Sequence, residues 1–415
     1  MVGLRLDQCL AGTVPSGRLG PSGLPSGLDS LSRVSAYLDH AATTPVRPEA
    51  VDAMLPFFTV DYGNPSGAHL MARAARRAVD DARDIVAEAL GARPADLVFT
   101  SGGTEADNMA IFGAVRRRGG VAVCSAIEHH AVLHPVEALN GRVVGVDARG
   151  IIDLDALEGA LDDTVTIVSV MLANNESGIV QPIRDVAAVV RRAAPRALLH
   201  TDAVNAFMWV DVATECADAD LITISAHKFG GPKGVGALVV RNGVSLEPLF
   251  LGGGQEHERR SGTHNVAGIV GMATAARATV DSRTATVARV RALRDRLAEG
   301  LRSAVADTYE SGVSDIGDGH DRSHKVAGNC HLCFSHIESE ALLFLLEKEG
   351  VLASAASSCA SGAQDPSHVL AAMGVDRDLA QGSLRLTLGY SSTAADVDLA
   401  IDAVPAAVAR LRRFG

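Results

Sequence analysis

Three features are scarce in this chain: cysteine, basic charge and long apolar runs. Six cysteines among 415 residues are too few for a disulfide scaffold. A net charge of −11 argues against direct nucleic-acid binding through a basic surface. No run approaches the ~18 apolar residues of a membrane helix, and the N-terminus lacks the pattern of a secretory signal. We therefore expect a cytoplasmic globular protein with free thiols, no membrane partner and ordinary composition, 47% hydrophobic and 21% charged.

The chain divides into three predicted regions. Residues 1–36 are rich in Gly, Pro and Ser and lack apolar periodicity, which is typical of a flexible leader or of a stretch translated from a wrong start codon. Residues 50–285 alternate between strand-like and helical patterns. Residues 37–49 and 286–415 are predicted to form a smaller α+β domain that carries a Ser/Ala-rich loop.

Short apolar runs alternate with helical stretches across the larger region. The predicted strands are 97–101, 121–125, 142–147, 165–171, 197–203, 221–226 and 236–240. Continuous apolar runs are expected where parallel strands are buried on both faces. The pattern predicts the α/β class, with three layers around a mostly parallel sheet and a ligand at the carboxyl ends of the strands.

The segment TISAHKFGGPKGVG (223–236) places a lysine at the end of a predicted strand. A lysine beside hydroxyl and imidazole groups can form an imine with an aldehyde cofactor, and burial would lower its pKa. Lys228 is the candidate and Lys233 the rival. The alternative is a surface lysine in a Gly-rich turn.

Two further segments favour a cofactor site. HTDAVN (200–205) ends an apolar strand with Asp202, a carboxylate that could hold a protonated pyridine nitrogen or could cap a helix. TSGGTEADN (100–108) has a Gly-rich turn before a helix, where backbone amides and Thr104 could bind a phosphate.

Together these segments resemble the cysteine desulfurases of the class V aminotransferase group, which have the type I fold of pyridoxal-phosphate enzymes. The resemblance runs from residue 37 to residue 389. It is carried by the blocks YLDHAATTP, YGNPSGAH, FTSGGTEADN, EHHAVL, NNESGIVQPI, HTDAVN, SAHKFGGPKGVGAL, GGGQEHERRSGT, SCASG and SLRLTLG.

The resemblance implies conversion of L-cysteine to L-alanine by a pyridoxal 5'-phosphate enzyme, with Lys228 as the cofactor lysine and Cys359 as the persulfide-forming nucleophile. It implies that His129 stacks on the ring and assists proton transfer. The remaining implied roles are Asp202 at the ring nitrogen, Asn175 and Asn205 near the ring hydroxyl, Gly103, Thr104, Ser225 and His227 at the phosphate, Thr263 at the phosphate of a neighbouring subunit, and Asn175 and Arg385 at the substrate.

Two positions depart from the family pattern. Asn205 stands where Gln is usual, so its bond to the ring hydroxyl should be longer or bridged by water. Ala356 replaces a Gly in the cysteine loop and should stiffen it.

The residues around Cys359 support the same role independently. Its loop is small-residue and polar, which indicates an exposed thiol that could attack substrate sulfur, although an inert loop thiol is the alternative. Cys330 and Cys333 form a C-x-x-C, but on a strand they would face opposite sides, so we predict no metal site. Cys124 and Cys216 are predicted core thiols.

The resemblance also implies partners and alternatives. It implies a homodimer with shared sites and a sulfur acceptor, as in iron–sulfur cluster assembly or tRNA thiolation. The alternatives are a selenocysteine lyase, another class V aminotransferase-like enzyme, or a degenerate sulfur-relay scaffold without turnover.

Overall fold

A seven-stranded sheet forms the centre of the fold. The computed structural model describes residues 35–241, 243–316, 319–355 and 367–413, and those from Ala36 onward belong to one compact unit. Of the predicted leader, residues 1–34 lie outside the described residues, and Ala36 is already part of a strand.

The strands and helices follow the predicted alternation along the chain. The strands are β1 (Ala36–Tyr37), β2 (Leu97–Thr100), β3 (Val121–Ser125), β4 (Arg142–Val144), β5 (Val165–Ser169), β6 (Leu198–Asp202), β7 (Leu221–Ser225), β8 (Gly236–Val240), β9 (Thr308–Glu310), β10 (Ser314–Ile316), β11 (Gly319–Asp321), β12 (Asn329–Phe334), β13 (Val351–Leu352) and β14 (Ser383–Thr387). The helices are α1 (Pro48–Met54), α2 (Pro56–Thr59), α3 (Leu70–Ala89), α4 (Gly103–Arg118), α5 (His130–Ala138), α6 (Leu154–Gly159), α7 (Ile183–Ala193), α8 (Val212–Glu215), α9 (Val266–Ala304), α10 (Ser339–Lys348), α11 (His368–Ala372), α12 (Arg377–Gln381) and α13 (Ala394–Leu411).

The large sheet has the strand order β2-β8-β7-β6-β5-β3-β4. Strands β4, β3, β5, β6 and β7 pair in parallel, whereas β8 is antiparallel to both β7 and β2. Strand β2 therefore runs in the same direction as β7, and the carboxyl ends of six strands lie at one edge. The predicted mostly parallel sheet is confirmed.

Helices cover both faces of this sheet. Neighbouring residues on a strand point to opposite faces, so Val123 packs in the cluster that includes α3, α7 and α9, while Cys124 packs with α4 and α5. Val168 and Ile167 divide between the same two clusters. The result is the three-layer arrangement that the apolar runs predicted.

A second, three-stranded antiparallel sheet has the order β14-β12-β9. It shares a separate apolar cluster with α10, α13 and the carboxyl-terminal half of α9. Cys330 and Cys333 lie on β12, buried in different clusters, and are free thiols, as their strand spacing predicted. The polar segment around residues 309–325 contains the hairpin β10–β11 and two fully buried charges, Glu310 and Lys325, which the sequence did not reveal.

No helix among the described residues is both long enough and apolar enough to cross a bilayer.

Candidate active site

The candidate site is a cavity of about 470 Å³ at the carboxyl ends of the parallel strands. Loops from several strands converge at such an edge, which is where open α/β sheets bind ligands. The lining residues are Ala41, Ala42, Gly103, Thr104, Asp107, His129, Met171, Asn175, Asp202, Val204, Asn205, Ser225, His227, Lys228, Ser354 and Arg385.

Lys228 lies in a single 3₁₀ turn that directly follows β7. Its Nζ donates hydrogen bonds to the carbonyl oxygens of Ala41 and Ala42, the second at 3.1 Å. Burial, reinforced by the positive charge of Arg385, lowers the pKa of Lys228 to about 8. With that pKa, about one-tenth of the amine is neutral and nucleophilic at pH 7.

Asp202 is the last residue of β6 and is only 4% exposed. Its Oδ1 accepts a hydrogen bond of 2.8 Å from the backbone N–H of Val204, so Asp202 caps the turn after β6, whereas the alternative interpretation expected a helix cap. Burial raises the pKa of Asp202 to about 6, and the charge of Lys228 opposes that rise. A buried carboxylate that faces a cavity is stabilised by a cationic ligand, and a protonated pyridine nitrogen is one.

His129 precedes α5 as its N-cap residue and faces the cavity. Its Nδ1 accepts a hydrogen bond of 3.1 Å from the N–H of Ala131, so we assign the neutral ring proton to Nε2. Burial, together with the positive charge of Lys228, lowers the pKa of His129 to about 4. The imidazole is therefore neutral at pH 7 and can lie against an aromatic ring.

A candidate phosphate cup lies between the end of β2 and the start of α4. Gly103, Thr104, Ser225 and His227 line both the main cavity and an adjoining one of about 390 Å³. The first amides of a helix have no partner within it, and α4 begins at Gly103, so its N-terminus can bind an anion in this space. A Cβ atom at Gly103 would lie 2.8 Å from Cγ2 of Val204, so a glycine is needed for this close approach.

Arg385 reaches the cavity from β14 and is held by the chain itself. Its Nη2 donates to Oδ1 of Asp39 at 2.9 Å, and its Nη1 donates to the carbonyl oxygen of Asn175 at 3.1 Å. A guanidinium whose orientation is fixed in this way can form paired hydrogen bonds with a substrate carboxylate. Asn205 lines the same cavity, and its Nδ2 donates to the carbonyl oxygen of Asn174 at 3.0 Å, which leaves its side-chain oxygen as the free end.

Two predicted positions, Lys233 and Thr263, do not line this cavity, and two others lie outside the residues that the structure describes. The rival Lys233 lines only the adjoining cavity, so the geometry favours Lys228. Thr263 is exposed and lines neither cavity. Cys359 and Ala356 lie outside the described residues.

Sequence reasoning missed three residues that line or order the site. Asp39 pairs with Arg385, Ser354 lines the cavity, and Asp107 lines it from α4. Asp107 had a detectable signal, because it follows Gly103 by one helical turn and so shares its face. Asp39 and Ser354 lie in loops, and their contacts are with residues distant in the sequence, so no local pattern indicates them.

These residues fit pyridoxal 5'-phosphate. The amide-rich cup suits its phosphate, the buried Asp202 suits its ring nitrogen, and Lys228 is the amine that would hold its aldehyde carbon. Gly103 allows the start of α4 to approach Val204 closely. The fold and the site together define a pyridoxal-phosphate enzyme of the type I fold.

The chain belongs to the aminotransferase class-V family, whose model matches residues 36–399. It is 43% identical to the IscS-like cysteine desulfurase of Mycobacterium tuberculosis, over 91% of this chain and 97% of that protein. It is 41% identical to the cysteine desulfurase IscS of Methanosarcina thermophila, over 93% and 95%. A solved structure described as a NifS-like protein has a TM-score of 0.82 and 34% identity, over 91% of this chain and 100% of its own. These similarities confirm the predicted family and its dependence on pyridoxal phosphate.

Proposed function

We propose that this protein is a cysteine desulfurase that transfers the sulfur of L-cysteine to Cys359 and releases L-alanine. The observation that carries the proposal is one cavity that joins a partly neutral Lys228, a buried Asp202 and the ordered fork of Arg385. The cysteine desulfurases to which the chain is similar support the choice of substrate.

Each side chain has a task that follows from its position. Pyridoxal phosphate, when bound, withdraws electrons from the Cα of an attached amino acid. Arg385 binds the substrate carboxylate, and Asn175 lies beside it. The neutral amine of Lys228 would take the Cα proton of the substrate, and the neutral imidazole of His129 would lie against the bound cofactor and donate a proton from Nε2.

The sulfur step balances without a further reagent. The thiolate of Cys359 attacks the sulfur of cysteine, so an S–S bond forms and the Cβ–S bond of the substrate breaks. The electron pair of that bond stays with the alanine fragment, which takes up protons and leaves as L-alanine. The persulfide on Cys359 then passes its outer sulfur to an acceptor thiol.

Elimination among the cysteines supports Cys359 as the nucleophile. Burial raises the pKa of four thiols and keeps them in the unreactive protonated form. These four are Cys124, Cys216, Cys330 and Cys333. Of the remaining two, Cys9 belongs to the predicted leader, whereas Cys359 follows the cavity-lining Ser354 by five residues, a chain length that spans up to roughly 17 Å.

The test measures alanine and sulfide from L-cysteine in the cofactor-loaded enzyme, with a thiol reductant present. We expect Cys359→Ser to lose sulfide release while retaining the yellow cofactor, and the matched control Cys9→Ser to keep both. Stoichiometric alanine without consumption of a keto acid distinguishes desulfuration from aminotransfer. Wild-type sulfide release by Cys359→Ser would refute the nucleophile, and absence of turnover with bound cofactor would favour the scaffold alternative.

The active form is a homodimer with shared sites. Exposed apolar side chains cluster around α1 and α2, with Leu55 at 56%, Phe58 at 60% and Tyr62 at 66% exposure, which is typical of a surface covered by a partner. Thr263 is exposed and lines neither cavity of its own chain, as expected if it serves the phosphate of a second copy.

Mixed dimers test this arrangement. Thr263→Ala and Lys228→Ala are each expected to be weakly active or inactive alone. If Thr263 acts across the interface, a heterodimer of the two variants regains one site with both wild-type side chains, and activity returns. A heterodimer no more active than its parents, or a monomeric active enzyme, would contradict the shared site.

The acceptor is a protein thiol, and a cytoplasmic location remains a prediction from the cysteine content. Labelled persulfide transfer to purified candidates, from iron–sulfur assembly and from tRNA thiolation, would identify the acceptor.

A further inference from the structure

Asp107 is a buried carboxyl group for which the proposed chemistry has no use. It lies on the second turn of α4, lines the main cavity and is only 1% exposed. Its Oδ1 has no hydrogen-bond partner among the described residues. An unpaired buried oxygen of this kind is costly for a charged carboxylate and much less so for a neutral acid.

Among the described residues, the neighbours that perturb the carboxyl group of Asp107 bring no positive charge, although Lys228 and Arg385 line the same cavity. From β6 it faces Asp202 and His200, whose Nε2 lies 3.6 Å from Oδ1, and from the turn before α5 it faces Glu128. Thr223 on β7 is hydrogen-bonded to its carboxyl group. The ionisable groups among these neighbours are therefore two carboxyl groups and an imidazole.

The imidazole is neutral. His200 is fully buried between Ser169, whose Oγ lies 2.8 Å from Nδ1, and Thr223, whose Oγ1 lies 3.0 Å from Nε2. Burial lowers the pKa of His200 to about 3, so its contact with Asp107 is not an ion pair at pH 7. A hydroxyl of Thr223 that donates to Asp107 accepts from Nε2–H, which fixes the histidine tautomer.

Asp202 and Asp107 therefore differ in what supports a negative charge. Asp202 accepts the amide N–H of Val204 and is attracted by Lys228, whereas neither an amide donor nor a cation supports the charge of Asp107 within the described part of the chain. Burial, and then the charge of Asp202, raise the pKa of Asp107 well above its usual range. Two buried carboxyl groups in one site are more stable when the pair carries one negative charge than when both groups are ionised.

We propose that Asp107 is a positioning residue that remains a neutral carboxylic acid beside Asp202, so that Asp202 carries the negative charge facing the cofactor's ring nitrogen. A proton on Asp107 lowers the energetic cost of leaving Oδ1 unpaired and keeps a second charge out of the cavity wall. A neutral polar group at this position also gives the Asp202 carboxylate a polar neighbour in place of an apolar one. This inference rests on the proposed function only for the presence of the cofactor.

Infrared spectroscopy of the holoenzyme tests the protonation state directly. With ¹³C-labelled aspartate, a protonated carboxyl group gives a carbonyl band distinct from carboxylates and from unlabelled Glu128. We expect this band at pH 7 in the wild type, its loss in Asp107→Asn, and its retention in the matched control Glu128→Gln. A wild-type spectrum without the band, or a band that Asp107→Asn leaves unchanged, would overturn the proposal.

Cofactor affinity provides the second readout. Asp107→Asn mimics the neutral acid, and we expect its Kd for pyridoxal phosphate to stay within about threefold of the wild type, whereas Asp107→Leu, which lacks a polar group, should bind at least about tenfold more weakly. Equal weakening by both variants would contradict a neutral acid. If the wild type itself bound no pyridoxal phosphate, the proposed function would fail, whereas normal wild-type binding without the infrared band would refute only the role of Asp107.

Discussion

The pKa of Lys228 near 8 makes its reactivity a measurable consequence of the structure. Burial and Arg385 disfavour the charged ammonium, so the neutral fraction is about one-tenth at pH 7 and about nine-tenths at pH 9. An unperturbed lysine, with a pKa near 10.4, would be less than about one-hundredth neutral at pH 8. We therefore expect labelling of Lys228 by an amine-selective reagent to rise roughly tenfold between pH 7 and pH 9 and then level off.

Competitive labelling of the cofactor-free enzyme, followed by peptide mass spectrometry, measures this profile. The chain has only four lysines, so each one is resolved. The exposed Lys348 provides the internal reference for reagent reactivity, and the fully buried Lys325 should react only after unfolding. A Lys228 profile that still rises steeply above pH 10 would refute the buried, partly neutral amine.

Three further variants test separate parts of the account. Gly103→Ala places a Cβ 2.8 Å from Val204 Cγ2, which should cost about 1–3 kcal/mol of strain. We expect the Kd for pyridoxal phosphate to rise about tenfold or more in an equilibrium titration. Unchanged affinity would contradict phosphate binding at this cup. Arg385→Lys loses the fork, and steady-state kinetics should show KM for cysteine raised about tenfold with a smaller change in kcat; an unchanged KM would place the carboxylate elsewhere. Burial opposes ionisation of Glu256, but hydrogen bonds and the ion pair with Arg83 outweigh it and lower the pKa of Glu256 to about 2. The contribution of Glu256 to folding stability is therefore complete above pH 4.5 and is lost as the pH falls toward 2. Glu256→Gln should therefore lower the free energy of unfolding by up to about 3 kcal/mol at pH 7 and by less at pH 3; an equal loss at both pH values in urea titrations would exclude this linkage.

The apolar runs predicted the sheet closely because buried parallel strands have few polar residues. Residues 121–125 and 236–240 match β3 and β8 exactly in extent, whereas the predicted strand 142–147 ends at Val144, since β4 is at the sheet edge. The antiparallel direction of β8 could not be read, because an apolar run has the same pattern in either direction.

Some residues of the candidate site could likewise be predicted from the sequence, and others could not. Residues at strand ends, such as Asp202 and Lys228, were predictable because the topology gathers strand ends at one edge. Asp39 was missed because its role depends on a partner distant in the sequence, and Asp107, although its spacing from Gly103 was visible, because its burial and unpaired oxygen were not. The role of Cys359 stays a prediction, as it lies outside the described residues.

Mass spectrometry of the cysteine-treated holoenzyme tests the central claim most directly. Peptides prepared after alkylation should carry one additional sulfur atom on Cys359 and on no other cysteine, and a thiol acceptor should remove it. Release of alanine with an unmodified Cys359, or an additional sulfur on one of the buried thiols instead, would contradict the account.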